Sequence, residues 1–240
     1  MVRWAPMVIP GLGLVVVSAL LASVSLRHGL DHDESFFVAG GALIARQGLL
    51  PYRDFLYLHT PYLALLYALL FRVSSYLLLS SRLSSTAFAV AGLAVLLVMV
   101  WRELDRVPLE LRIAVATASL FAVATNPIVL ENVGRATNED LAIFCVLVAV
   151  LFFLQGWRNS RAPRALFISG LFAGLATGAR VPSGLVLAVL FLLLAGDALR
   201  AAPGRSYKGW LGFTAGGALA LIPAAVLVLQ APSQSLFGLF

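Results

Sequence analysis

Eight apolar runs divide this 240-residue chain, and several are long enough to cross a lipid bilayer. A transmembrane helix needs about 17–25 predominantly apolar residues. Charged residues make up only 12% of the chain, which excludes an ordinary soluble domain with about 25%. The sequence therefore predicts an all-α, polytopic membrane protein. The runs lie near residues 7–25, 61–79, 83–101, 113–130, 141–157, 165–179, 183–199 and 209–230.

The arginines predict how many of these runs cross. Three arginine-rich connections, 101–112, 157–164 and 200–209, fall at alternate positions along the chain. Cytoplasmic loops of membrane proteins carry the excess of Lys and Arg. All three connections face the cytoplasm only if the run 61–79 does not cross, and that run begins at a proline and contains Arg72. We therefore expect about seven transmembrane helices, with one or two interfacial helices in the first outer loop.

This topology gives a single membrane module, 1–240, with a cytoplasmic N-terminus. We expect a first span over 1–26, an outer loop with interfacial helices over 27–81, and spans two to seven over 82–230. Residues 231–240 would then begin a further outer segment.

The basic residues also indicate the setting of the chain. They lie singly or in short groups rather than in one block, which argues against a nucleic-acid partner. Arginine supplies all but one of the 17 basic residues, the exception being Lys208, and this bias favours a bacterial inner membrane. Cys145 is the single cysteine, so an intrachain disulfide is excluded.

The first outer loop begins with an unusual group of charges, "RHGLDHDESFF" at 27–37. Asp33 and Glu34 lead into a predicted amphipathic helix that ends near Gly48. Two interpretations stay open: Asp33 caps this helix, or it is a carboxylate base at the boundary of water and lipid. His28 and His32 share a face if their segment is helical, so a divalent metal is possible although no cofactor is certain.

Other charges on the predicted outer face are candidates for binding a phosphate. Cations can stabilise a departing phosphate, and those we single out are His59, Arg82, Arg135 and Arg180. Arg180 follows the run 165–179, whose fifteen residues rise only ~22 Å, so we expect it to face a polar cavity. Gly170, Gly174 and Gly178 recur every four positions in that run, which predicts close helix packing.

Several segments together resemble a family of membrane enzymes. "DHDESFFVAGGALIARQGLLPYRDFLYLHTPYLALLYALLF" resembles the first outer loop of GT-C membrane glycosyltransferases, of the protein O-mannosyltransferase and lipid A aminoarabinose transferase type. "RATNEDLAIF" is similar to the family's second outer loop, and "GLFAGLATGARVPSG" to its glycine-rich helix followed by a basic residue and proline. The order and spacing of these segments carry the resemblance.

The resemblance implies roles for individual residues. Asp33 matches the family's catalytic base, with Glu34 beside it, and Asp140 matches the acid of the second outer loop. Arg180 matches a cation near the lipid phosphate. Further substrate-binding candidates are Arg53 and Glu139.

The implied function is inverting transfer of a sugar, by a glycosyltransferase or the membrane half of one. The donor would be a polyprenyl-phosphate sugar and the acceptor a hydroxyl of a lipid, glycan or protein on the outer face. The alternative is a multispanning transporter, or a lipid-handling or assembly protein, without transfer chemistry. The nearly charge-free centres of the runs and the lack of an internal repeat count against transport.

Overall fold

The computed structural model describes residues 7–159, 162–200 and 207–239. In these ranges the chain forms eleven α-helices and no β-strand, in agreement with the predicted all-α class. The helices are α1 (Val8–Arg27), α2 (His32–Gln47), α3 (Tyr62–Phe71), α4 (Leu77–Glu103), α5 (Leu109–Ala124), α6 (Pro127–Asn132), α7 (Glu139–Arg158), α8 (Pro163–Ala179), α9 (Gly184–Arg200), α10 (Tyr207–Gln230) and α11 (Pro232–Leu239).

Five helical segments of the described chain are long and apolar enough to cross a membrane. The chain is therefore an integral membrane protein, as predicted. Counted by length alone, five spans are found among the described helices instead of about seven. The expected spans α5 and α8 have only 16 and 17 residues and are too short to be counted. The five are Val8–Arg27, Leu77–Glu103, Glu139–Arg158, Val181–Leu199 and Tyr207–Gln230.

The apolar run 61–79 is not one helix. It forms the ten-residue α3, and its last three residues already belong to α4. Ten helical residues rise ~15 Å, about half of the hydrocarbon core, so α3 alone is too short to cross. It packs closely on α2, where a side chain at Gly41 would meet the Tyr67 Cβ.

The run 113–130 is also divided, which differs from the continuous run expected. α5 ends at Ala124, and α6 begins at Pro127 after a break at Thr125 and Asn126. Proline has no N–H to continue a helix but fits the first helical position. The Asn126 side chain accepts a hydrogen bond from the Ile128 amide at 2.9 Å, which caps the new helix.

α8 lies at the centre of the packing, between α7 and α10. A side chain at Gly170 would collide with the Phe213 carbonyl group of α10, and one at Gly178 would collide with the Tyr62 ring. The predicted close packing of this glycine-rich helix is confirmed. The Tyr62 hydroxyl in turn donates to the Ala220 carbonyl of α10, which ties α3 to the same pair of helices.

The helices meet at two distinct ends. At one end, here called the loop end, Arg82 near the start of α4 donates to the His28 carbonyl at the end of α1. At the other, here called the arginine end, Arg158 of α7 pairs with Glu103 of α4. Two of the three arginine-rich connections meet at the arginine end. Most of the third, residues 201–206, lies outside the described part of the chain.

Candidate functional site

An open polar cavity of about 250 Å³ lies at the loop end. Four parts of the chain form it: the start of α2, the segment before α3, the start of α7 and the turn after α8. Its walls are Asp33, Phe37, Leu58, His59, Thr60, Thr137, Asn138, Glu139, Arg180, Val181 and Pro182.

The cavity brings together four residues singled out from the sequence: Asp33, His59, Glu139 and Arg180. Arg180 Nη1 lies 3.1 Å from Glu139 Oε1, so one wall carries an ion pair. The other carboxylate oxygen, Glu139 Oε2, is buried without a hydrogen-bond partner among the described residues.

The Asp33 carboxylate is exposed in the cavity and has no hydrogen-bond partner among the described residues. Asp33 does not cap α2. Asp31 is the cap: its side chain accepts from the Asp33 amide at 2.9 Å, and Glu34 closes a capping box by accepting from the Asp31 amide at 3.1 Å. The cap therefore leaves the Asp33 carboxylate available to a ligand. The helix ends at Gly48, as predicted, and Gly48 lies in the left-handed region.

Glu34, the neighbour of Asp33, points away from the cavity and is only 1% exposed. Arg82 donates to both of its oxygens, from Nε at 2.9 Å and from Nη2 at 2.7 Å. The Ala136 amide donates to Oε1 at 2.7 Å. Arg82 also donates to the backbone carbonyls of His28 and Gly29. This pair joins α1, α2, α4 and the segment before α7, so Glu34 and Arg82 hold the site rather than line it.

Two other predicted site residues fix the segment 133–138. Arg135 pairs with Asp31 at the start of α2 and does not line the cavity. Asp140 accepts a hydrogen bond from the Gly134 amide at 2.8 Å and also lies outside the lining. Gly134 has φ of +70°, and a side chain there would collide with Ser25 and Thr86. In the second outer loop it is thus Glu139, not Asp140, that reaches the cavity with Asp33.

His59 forms an aromatic wall of the cavity. Its ring stacks on Phe37 with the centroids 4.5 Å apart. Burial lowers the pKa of His59, although the carboxylates of Asp33 and Glu139 partly oppose this. The imidazole is therefore neutral at pH 7, where it offers one N–H donor and one acceptor.

The backbone before His59 is strained and held in place. Tyr52 has a backbone φ of +69°, a value that residues other than glycine rarely adopt. Its hydroxyl donates to the His59 carbonyl at 2.6 Å. Strain of this kind persists where the surroundings fix the conformation, so the turn at Tyr52 positions His59. Arg53, a predicted substrate contact, instead pairs with Asp54 on the exposed side of this turn.

Arg180 is positioned by the end of α8. The Ala179 carbonyl accepts hydrogen bonds from Thr60 at 2.5 Å and from Asn138 Nδ2 at 2.9 Å. Arg180 then leaves the helix with extended backbone. The expectation that it faces a polar cavity is confirmed.

An apolar groove of about 290 Å³ lies beside the cavity. The two are close along the chain in two places, because Tyr62 lies two residues after Thr60 and Leu141 lies two residues after Glu139. The groove is lined by Tyr62, Leu65, Leu66, Leu69, Phe88, Leu141, Cys145, Leu175 and Pro223. A polar cavity and an apolar groove that lie near each other suit an amphiphilic ligand.

The described residues do not support the zinc interpretation. His28 is the nonhelical residue that ends α1, while His32 begins α2, so the two do not share a helix face. No three His, Cys, Asp or Glu side chains in the described ranges are grouped to hold a metal ion.

Sequence reasoning did not single out Phe37, Thr60, Thr137 or Asn138 as cavity residues. Thr137 and Asn138 directly precede the acids of the second outer loop, and Thr60 follows His59. Their closeness to predicted site residues could have indicated them. Comparison of the chain with family models, with curated proteins and with solved structures finds no match.

Proposed function

We propose that this chain is an inverting glycosyltransferase, or the membrane half of one, that uses a polyprenyl-phosphate sugar. The observation that carries the proposal is the Asp33 carboxylate, which has no hydrogen-bond partner among the described residues and lies in a polar cavity near an apolar groove. The resemblance to GT-C glycosyltransferases supplies the donor class and the inversion. The cavity would hold the sugar phosphate and the groove the first part of its lipid tail.

Asp33 is the proposed general base. In a single displacement, the acceptor oxygen forms a bond to the anomeric carbon while the bond from that carbon to the donor phosphate breaks. The acceptor proton passes to the Asp33 carboxylate, and the electron pair leaves with the polyprenyl phosphate. A phosphate leaving group needs little protonation, so one carboxylate is sufficient for the proton transfer.

Arg180 is the proposed partner of the departing phosphate. A guanidinium carries five N–H donors, and the contact to Glu139 uses one of its terminal nitrogens. The remaining donors are available to phosphate oxygens. His59, neutral at pH 7, adds one further donor.

We infer that α5 and α8 cross the membrane as well, which gives seven spans and a cytoplasmic arginine end. Their 16 and 17 residues rise ~24 and ~26 Å, slightly less than a ~30 Å hydrocarbon core. Short spans bring their ends below the headgroups. For α8, a span of this length would put Arg180 where a lipid phosphate meets the apolar core. A bacterial inner membrane fits the arginine-rich composition.

The test is product release by wild type and Asp33→Asn. Membranes containing the chain are supplied with radiolabelled polyprenyl-phosphate sugars (hexose, pentose and aminopentose) and hydroxyl acceptors, and released polyprenyl phosphate is measured. Loss of a general base costs about 10²–10⁴-fold in rate, so we expect at least a 100-fold loss in the variant. The matched control is Glu131→Gln, an exposed acid near the loop end outside the cavity.

Binding of polyprenyl phosphate distinguishes a glycosyltransferase from a lipid-handling protein without transfer chemistry. The same phosphate should raise the melting temperature of wild type and Asp33→Asn, but less that of Arg180→Gln. Full turnover in Asp33→Asn would exclude the base assignment. Binding that depends on Arg180 with no turnover by wild type would favour a lipid-handling protein.

A further inference from the structure

A second cavity, of about 390 Å³, lies at the arginine end. It is far from the candidate site, because Glu139 and Arg158 stand at opposite ends of α7, ~28 Å apart at 1.5 Å per residue. Its walls come from the start of α1, the ends of α4 and α7 and the start of α5. They are Met7, Val98, Trp101, Arg102, Asp105, Arg112 and Arg158.

The three arginines of this cavity are not equivalent. Arg112 is held rigidly: it donates from Nε to the Trp101 carbonyl at 2.9 Å, and its guanidinium lies 4.2 Å from the centre of the Trp101 ring. Arg158 pairs with Glu103. Arg102 has no hydrogen-bond or ion-pair partner among the described residues. One preorganised cation and one unpaired cation thus face the same space.

The charge of the cavity favours an anion. Three arginines face only Asp105 within it, and Glu103 lines a smaller neighbouring cavity of about 140 Å³ that shares Arg102 and Arg158. Planar guanidinium groups match the oxygens of a phosphate, so a phosphate-bearing ligand fits better than a neutral one.

Apolar side chains identify the source of the phosphate. Val98 lies beside Arg102 in the larger cavity, and Leu151 and Leu154 lie beside Arg102 in the smaller one. These residues belong to α4 and α7, both long enough to span the membrane. The arginines therefore sit at the level where headgroups meet acyl chains, and basic pockets between transmembrane helices bind anionic headgroups.

We propose that the arginine-end cavity is a binding site for the headgroup phosphate of an anionic phospholipid. Arg102 and Arg112 bind the phosphate, and the acyl chains lie along the apolar surfaces of α4 and α7. The site is separate from the proposed sugar transfer and does not depend on it.

The test is a titration of the detergent-purified chain with short-chain phosphatidylglycerol, followed by native mass spectrometry and by melting temperature. Short-chain phosphatidylcholine and inorganic phosphate are titrated in parallel. One arginine near a charged headgroup contributes ~1 kcal/mol, so Arg102→Gln should weaken phosphatidylglycerol binding about fivefold. Arg102 is exposed and has no partner among the described residues, so this variant should fold normally. Arg106→Gln is the matched control, because Arg106 is exposed on the same connection but does not line the cavity.

Each outcome of these titrations either supports or overturns the proposal. Stronger binding of phosphatidylglycerol than of phosphatidylcholine, weakened by Arg102→Gln and not by Arg106→Gln, supports the proposal. Equal weakening by the two variants, or equal binding of the two lipids, overturns it. Inorganic phosphate that binds as tightly as phosphatidylglycerol would overturn the lipid assignment and indicate a soluble phosphate ligand.

Discussion

Asp33 and Glu34 are neighbours in the chain but have separate tasks. Successive helical residues point about 100° apart, so α2 directs Asp33 into the cavity and Glu34 into the protein. Glu34 accepts four hydrogen bonds, two from Arg82 and two from backbone amides. The buried pair therefore fixes the end of the helix that carries the proposed base.

Glu34→Gln should destabilise the fold by ~3–5 kcal/mol, because it leaves Arg82 buried without a balancing charge. Asp33→Asn is the matched control: it makes the same chemical change one residue away, at an exposed carboxylate, and should leave stability nearly unchanged. Thermal unfolding in detergent measures both. Equal melting temperatures for the two variants would contradict the anchoring role of Glu34.

The same pair predicts how stability responds to acid. Burial disfavours the Glu34 carboxylate, but hydrogen bonds from Arg82 and from two backbone amides outweigh it and hold its pKa below the ordinary 4.5. A carboxylate with a lowered folded pKa stabilises the fold above its unfolded pKa, and this contribution is lost as the pH falls through the folded pKa. Below about pH 4.5 the wild type should therefore lose stability more steeply than Glu34→Gln. If the stabilities of the two proteins fell in parallel with pH, this prediction would be wrong.

The sequence could locate the acid pairs of the site but not the orientation of their members. Both pairs, Asp33 with Glu34 and Glu139 with Asp140, place their first acid in the cavity and their second against backbone amides. That orientation depends on Arg82 and Gly134, which lie far away in the chain or in a turn. The spacing of Asp31 and Glu34 did match a capping box and would have excluded Asp33 as the cap.

At the scale of elements, close contact between α8 and α10 fixes the middle of α8, the helix that ends at Arg180. Gly170 lies against the Phe213 carbonyl, so the two backbones approach with no side chain between them. This contact was predictable, because glycines every four residues define one helix face. The division of the run 113–130 was harder to predict from hydropathy, since the break at Asn126 and Pro127 lies inside an apolar stretch.

Gly170→Ala should destabilise the fold, whereas Gly196→Ala should not. A Cβ at Gly170 would collide with the α10 backbone, and such overpacking costs ~1–3 kcal/mol. Gly196 of α9 has nothing within 4 Å of its Cβ position, so alanine there should be neutral or stabilise by up to ~1 kcal/mol through helix propensity. Melting temperatures in detergent compare them. Equal effects would show that α8 and α10 are less tightly packed than the structure indicates.

At the scale of the whole molecule, the two ends differ in chemistry. The loop end carries an open cavity with carboxylates, a histidine and one arginine, while the arginine end carries a basic cavity among apolar helix ends. Regularly alternating arginine-rich connections predicted this division, because each crossing reverses the chain direction. The residues that build each cavity come from segments distant in sequence, so the cavities themselves could not be read from local patterns.

The proposed topology places the loop end outside the cell and the arginine end in the cytoplasm. Cys145, the single native cysteine, is buried and is replaced by alanine as a background. In that background, Ser75→Cys at the loop end should react with a membrane-impermeant thiol reagent in intact spheroplasts. Arg106→Cys at the arginine end should react only after the membrane is permeabilised, since both positions are exposed on the protein itself. The reverse pattern would invert the topology, and the Asp33 cavity would then meet cytoplasmic acceptors instead of outer-face ones.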